Sequence, residues 1–389
     1  MRRRQIAWLS VGLLALLLAA GGRTALRELP RLVSAGTAGP GAEAPRLRGV
    51  FHVHSDASHD GRTPATEQLA AASRLGLDFV VFTEHNAQPV HPTPAGGPVA
   101  VPGTELSTPY GHLVYLGYGE VPPEDDTRAR IGIVDSLDAR GALTVLSHPT
   151  SPRRPWIGRR AGVDGLEIAS TSSNARVWAD PFPGILPGLF ALPLNPELAV
   201  AQLYRRDDAA LRMWDRLEDP SVIGLCGTDA HGWIDPALDF RTWQIVLDPW
   251  ERAADPPTAG ALVERLATGR FICVAGLVAE DAPRFSFTAV SRDGSVVHQG
   301  GSAPAARVSA LEVDSPVPMG AAGADGASGL TTVLLRDGVE AARTTGRTLR
   351  LPDPAAGTYR VEVRARIPAV FFGGRVVPVL YSNRIRVTP

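Results

Sequence analysis

One arrangement recurs along this chain and limits the folds open to it: a short apolar, β-branched run that ends in an imidazole or a carboxylate. Residues 49–53 run into His52 and His54 and then, after a turn, Asp60. Residues 79–82 lead to Thr83, Glu84 and His85, and residues 99–103 lead to Thr104 and Glu105. Residues 143–147 lead to His148, and residues 222–227 lead to Asp229 and His231. Further apolar runs stand at 113–116, 165–168 and 243–247, and helical patterning fills 64–75, 127–139, 198–217 and 258–267. Buried parallel strands alternating with helices predict an α/β barrel or a doubly wound sheet. In a barrel the loops after the strands open onto one face, so five donor-tipped strands would deliver their side chains to one place.

The first of these runs is the densest. In an extended strand His52 and His54 project from the same face. Gly61, lacking a Cβ, lets the chain turn and carry Asp60 back toward the imidazoles. His59 stands beside Asp60 and could take the same position; the turn at Gly61 favours Asp60. Nitrogen and oxygen donors gathered this closely suit a divalent transition metal.

Composition removes several rival chemistries. All 39 basic residues are arginine, which excludes Schiff-base and pyridoxal phosphate enzymes, Walker-type phosphate loops and Ser-Lys hydrolases. Arginine is suited to gripping phosphate or carboxylate, and Arg153, Arg154, Arg159 and Arg160 follow His148 closely enough to meet an anionic substrate or to form a solvated basic loop. A net charge of -1 does not call for a nucleic-acid partner. Cys226 and Cys273 each sit in an apolar run and read as buried free thiols in preference to a disulfide, and two cysteines exclude a four-cysteine zinc site. Gly-x-Ser-x-Gly is absent.

The ends of the chain differ from its middle. Arg2, Arg3 and Arg4 precede 15 mostly apolar residues, so residues 1–23 read as an export signal, compatible with twin-arginine export, or as an uncleaved anchor. Either places the body of the protein outside the cytoplasm, with membrane contact only through residues 1–23. Residues 24–45 read as a linker and 46–280 as the α/β unit. Within it, residues 178–196 hold five prolines and read as a loop over a site. Residues 281–389 alternate apolar and polar positions without helices, which predicts a small β-sandwich that buries its own core. His298 is the only histidine there, and His91, in a proline-rich loop, reads as exposed.

Read together, these donors resemble the PHP superfamily of metal-dependent phosphoesterases, named after polymerase and histidinol phosphatase. The resemblance covers about residues 48–278 and implies a distorted (β/α)7 barrel, a TIM-like fold. By similarity His52, His54 and Asp60 match its first motif, His85 its second, and His148, Asp229 and His231 the later ones. Glu105 matches a carboxylate that bridges two metals, and His112 a histidine that completes a third site in some members. Glu84 stands where Asp is usual, lengthening a carboxylate behind the ligands. An export signal, a β-rich tail and the pair Ser382 and Asn383 are similar to a secreted branch, which also resembles carbamate hydrolases.

Eight or nine donors exceed the needs of one ion, so two or three divalent ions (Zn, Mn or Fe) are expected. Such ions can share and acidify a water, with Glu105, Asp60 and His231 at the reacting centre. The expected activity is hydrolysis of a small, anionic phosphate ester. Two alternatives stay open: a carbamate, ester or amide hydrolase on the same metals, and a non-catalytic envelope protein that binds metal or ligand.

Overall fold

The computed structural model describes residues 18–19, 21–33, 46–123, 126–138, 141–158, 162–170, 185–217, 219–248, 257–278, 284–318, 330–371 and 373–389. Nine strands between Arg48 and Val274 and six from the tail hydrogen-bond into one mixed sheet of 15 strands. A separate four-stranded antiparallel sheet lies in the tail, in the order Val296–His298, Ser286–Ser291, Val308–Asp314, Thr348–Pro352.

The strands that carry the site follow one another across the sheet. Arg48–Val53, Phe79–His85 and Val99–Thr108 are parallel neighbours. Gly111–Leu116 runs antiparallel to both Val99–Thr108 and Leu143–Leu146, and the parallel sense then resumes through Gly165–Ser170 to Ile223–Gly227. The expectation of an all-parallel series therefore fails at Gly111–Leu116. The reason is the connection: Pro109 and Tyr110 form a hairpin turn, far too short for the crossover that parallel strands need. Thr108 closes that turn, its hydroxyl accepting from the Tyr110 N–H at 3.1 Å and donating to the Gly111 carbonyl at 2.7 Å.

The seventh strand of this series is bonded back to the first. The Thr228 N–H donates to the Phe51 carbonyl at 2.9 Å, and the His54 N–H donates to the Ala230 carbonyl at 2.9 Å. Their side chains thus start from adjacent backbone.

On the other side of the first strand, Gln244–Leu247 and Phe271–Val274 continue the sheet antiparallel. Phe271–Val274 then pairs with Arg375–Ser382 of the tail. The larger of two apolar core clusters correspondingly runs from Phe51 through Phe271 to Val313 and Val387, while a smaller one gathers Val50, Val53, Leu69, Val80 and Phe240. The larger core cluster therefore runs across the expected boundary near residue 280, and one of the tail's sheets is continuous with that of the α/β unit. Residues 279–283 themselves lie outside the described part.

Buried charge joins the same two regions. Arg360 makes paired bonds to Asp215 at 2.7 and 2.8 Å, and Glu362 accepts from Arg206, Arg360 and Arg364. Asn383 uses its side chain as a backbone mimic, accepting from the Gly224 N–H at 2.8 Å and donating to the Gly224 carbonyl at 3.3 Å. The tail therefore holds the strand Ile223–Gly227, three residues ahead of which the chain reaches Ala230 and the site.

Helices largely follow the pattern, with two differences. The helix expected over 198–217 is two helices, Pro196–Ala201 and Asp208–Asp215, because Asn195 and Asp207 each cap a separate start. The proline-rich stretch holds a helix at Ile185–Ala191; Pro187 sits in its first turn, where a missing N–H costs no bond. Residues 178–184 lie outside the described part. So do residues 1–17, which carry most of the expected leader. Part of the expected linker is built into the fold: Ala25 and Leu29 are buried, and Leu32–Val33 pairs with Val317–Pro318. No helix among the described residues is long and apolar enough to cross a membrane.

Candidate metal centre

The site begins with an irregularity in the first strand. His52 has a φ of 66°, and the register against Phe79–His85 shifts between Val50 and Val53. The two imidazoles therefore converge through a bulge, which re-aims a side chain, rather than through simple strand alternation. Their ring centroids are 5.1 Å apart. His148 (φ 28°) and Asp229 (φ 52°) also occupy the left-handed region, so three of the seven described non-glycine residues there are candidate donors. Strain of this kind persists where surrounding structure fixes it, and it concentrates at working sites.

Gly61 has the role expected of it: a Cβ there would overlap the Ser55 carbonyl, so only glycine lets the turn fold under and present Asp60. Asp60 Oδ2 lies 3.2 Å from His85 Nε2 and 3.3 Å from His231 Nε2, whereas His59 is largely exposed.

Glu105 is the centre of the arrangement. Its Oε1 lies 2.9 Å from His148 Nε2, 3.0 Å from His112 Nδ1 and 3.4 Å from His52 Nε2. Its Oε2 lies 3.1 Å from His85 Nδ1 and 3.4 Å from His54 Nε2. Asp229 Oδ1 adds contacts of 3.4 Å to His52 Nε2 and 3.7 Å to His54 Nε2. Among the described residues, three overlapping groups have the spacing to hold a cation: His54, Asp60, His85 and His231; His52, His54, Glu105 and Asp229; and His85, Glu105 and His112. His148 falls outside these groups but stacks on His52 with centroids 5.7 Å apart. All nine residues singled out in the sequence thus meet in one place.

The hydrogen bonds behind the donors decide which ring nitrogen is free. His52 Nδ1 lies 2.6 Å from Glu167 Oε1 and donates its proton there, which leaves Nε2 a lone pair. His54 Nδ1 is 3.1 Å from the Ser58 hydroxyl, and His231 Nδ1 donates to the Asp229 carbonyl at 2.9 Å. The Nε2 atoms of His52 and His54 and Oε2 of Glu105 are buried and have no hydrogen-bond partner. Nitrogens facing carboxylate oxygens at 3.4 Å require a positive charge between them, which a proton on the imidazole or a bound cation can supply. The donor set therefore fits divalent cations.

Charge in the site is strongly redistributed. Burial disfavours a charged His52, but Glu167, Glu105 and Asp229 outweigh it and hold the imidazole well above its usual range. Burial likewise opposes charge on Glu105, yet His52 and His112 keep it well below the ordinary carboxylate value. His148 is pushed up to about 9 against burial, chiefly by Glu105, while burial dominates at His85 and lowers it to about 4. Cations bound here would displace these protons.

Glu167 is the functional residue that the sequence reading missed. Its Oε1 holds His52, and its Oε2 accepts from the His148 N–H at 2.6 Å. Gly227 makes the room, since a Cβ there would overlap the Glu167 carboxylate. The one available signal was a glutamate between Leu166 and Ile168 in a fully buried strand. Glu84, read as standing behind the ligands, instead pins the turn: it accepts from the Ser55 N–H at 3.0 Å and from the Ser55 hydroxyl at 2.5 Å. His91 is not exposed, contrary to expectation. It is bonded to Glu84 at 3.0 Å and packs on Phe82.

Above the donors lies a pocket of about 200 Å³, with Arg153 and Arg154 on its wall. These two arginines do face the site; Arg159 and Arg160 lie outside the described residues. The chain matches no known family model and no curated protein sequence.

Proposed function

We propose that this protein is a metal-dependent hydrolase of the PHP type, acting on phosphate esters outside the cytoplasm with two or three bound ions (Zn, Mn or Fe). The observation that carries the reading is Glu105, a fully buried carboxylate whose two oxygens face different histidines, Oε1 toward His112 and His148 and Oε2 toward His54 and His85. Such a carboxylate is placed to bridge ions rather than to serve one. The backbone bonds that return residues 228–230 to residues 51–54 support reading the first seven strands as the distorted (β/α)7 barrel.

The residues have separable roles in this reading. His52, His54, His85, His112, His148, Asp60, Glu105, Asp229 and His231 would hold the ions, and Glu167 orients His52. The ions would supply Lewis acidity, polarising the phosphoryl oxygen and acidifying water. Asp60 stands at the open side of the site, 3.3 Å from His231, where a carboxylate oxygen not given to an ion can accept a proton from water. Arg153 and Arg154 offer guanidinium groups to the phosphate. In the reaction a water oxygen bonds to phosphorus, the ester P–O bond breaks, and the alcohol leaves with a proton.

A second reading, hydrolysis of carbamates or carboxyl esters, is favoured by one feature: an apolar cleft adjoins the donors and would accept a neutral substrate. A panel of phosphate monoesters, phosphate diesters, carbamates and carboxyl esters, run on purified protein of measured metal content, separates the two. Turnover of phosphate esters above the others is the expected result. Turnover of carbamates alone would replace the first reading with the second, and no turnover by fully loaded protein would reject both.

A further inference from the structure

Resting on that reading, we infer that the substrate is an amphiphile, with its anionic, hydrolysable head at the donors and an apolar chain in the adjoining cleft. The cleft has a volume of about 760 Å³, within the range of pockets that enclose a whole small molecule. Asp60, Arg153, Asp229 and His231 line both the cleft and the smaller pocket above the donors, so the two are continuous. A single ligand can occupy both.

The walls of the two spaces differ in chemistry. The smaller pocket is lined by donors and by Arg153 and Arg154, which suit an anion. The cleft is walled by Leu189, Leu192, Val200, Leu203, Trp233 and Ile234. Leu189 is 62% exposed, Leu192 43% and Trp233 68%. Large apolar side chains gathered at solvent beside a site mark a surface that an apolar ligand covers.

The cleft is built, not incidental. Leu189 comes from the helix Ile185–Ala191 and Val200 from the helix Pro196–Ala201, which form one wall. Trp233 and Ile234, which follow His231 in the chain, also line it. Gly232, at a φ of 71°, holds that turn so close to Thr63 that a Cβ would overlap its hydroxyl. The Arg62 guanidinium stacks over the Trp233 ring, 3.4 Å from its centroid, and holds the indole at the rim. The residue that donates to the metals and the residues that wall the cleft are thus consecutive in the chain, which fixes head and tail relative to one another.

The test is a binding series that does not depend on turnover. Straight-chain alkylphosphonates from methyl to octyl, titrated calorimetrically into the metal-loaded full-length protein, should bind with Kd falling about three- to fourfold per methylene until the cleft is filled. Hexan-1-ol, with the same tail and no charge, should bind at least tenfold more weakly than hexylphosphonate. Leu189→Asp with Leu192→Asp, at exposed positions, should flatten the series while metal content is kept; Ile234→Asp, elsewhere in the cleft lining, should do the same. A series that is flat in the natural protein, a slope that survives both variants, or hexanol binding as tightly as hexylphosphonate would overturn the inference. Failure of the hydrolase reading is seen separately, as metal-loaded protein that cleaves no ester.

Discussion

Glu167 Oε1 lies 2.6 Å from His52 Nδ1, and the other oxygen of the same carboxylate accepts from the His148 backbone N–H, also at 2.6 Å. One buried side chain thus fixes the ring of one donor and the backbone of another. Glu167→Gln keeps the volume but replaces one acceptor oxygen with an amide and removes the charge. Metal affinity should fall about 10- to 100-fold with the fold retained, read by competition against a chelator of known affinity. Unchanged affinity would show that the His52 ring is held by packing alone.

Glu105→Gln addresses the bridge itself. The shape is kept and the charge between the two sets of histidines is lost, so at least one ion should be absent and turnover reduced by more than about 100-fold. His298→Ala, at an exposed position in the tail, should change neither quantity and serves as the control. Circular dichroism should show both variants folded.

Acid should act on the tail's buried network. Burial opposes charge on Glu362, but Arg206 and Arg360 outweigh it and hold the carboxyl at about 2, below its ordinary 4.5. A depressed folded value means stability that is complete above about 4.5 and lost as pH falls toward 2. The loss should be on the order of 3 kcal/mol, discounted for the partial exposure of Arg206. Glu362→Gln should be destabilised at pH 7, and its denaturant midpoint should change less between pH 5 and 3 than that of the natural chain. An identical pH response in both would contradict the assignment.

Truncation tests the continuity of the core. Ending the chain at residue 280 would expose the edge of Phe271–Val274 and remove the Asn383 clamp on Gly224. The shortened chain should be insoluble or bind metal poorly. A soluble, fully metal-loaded fragment would show that residues 46–280 stand alone.

These outcomes follow where the sequence was informative and where it was not. Most donors were legible because they end an apolar run, and a strand end is where a barrel presents side chains; His112, which precedes its run, was reached only through the resemblance. Glu167 was not legible, because it sits in the middle of its strand and meets a partner 115 residues away. The bulge at His52 was equally hidden, since its side chain reaches the same place by a different backbone path. The hairpin at Pro109 and Tyr110 was hidden, because the apolar runs at 99–103 and 113–116 stand nine residues apart and the strands extend into that gap as far as Thr108 and Gly111. So was the fusion of tail and α/β unit: the period-two pattern of Arg375–Ser382 is the same whether it pairs within a sandwich or with Phe271–Val274. Helix breaks at Asn195 and Asp207 were visible as capping residues, but only a count of caps, not of apolar periodicity, would have found them.

The central claim is that the nine residues form one polynuclear site. It is tested most directly by elemental analysis of the purified protein after saturation with zinc or manganese and removal of free ion. The account predicts two or three equivalents per chain, falling by at least one in Glu105→Gln. One equivalent or fewer in the natural protein, with the fold intact, would contradict it.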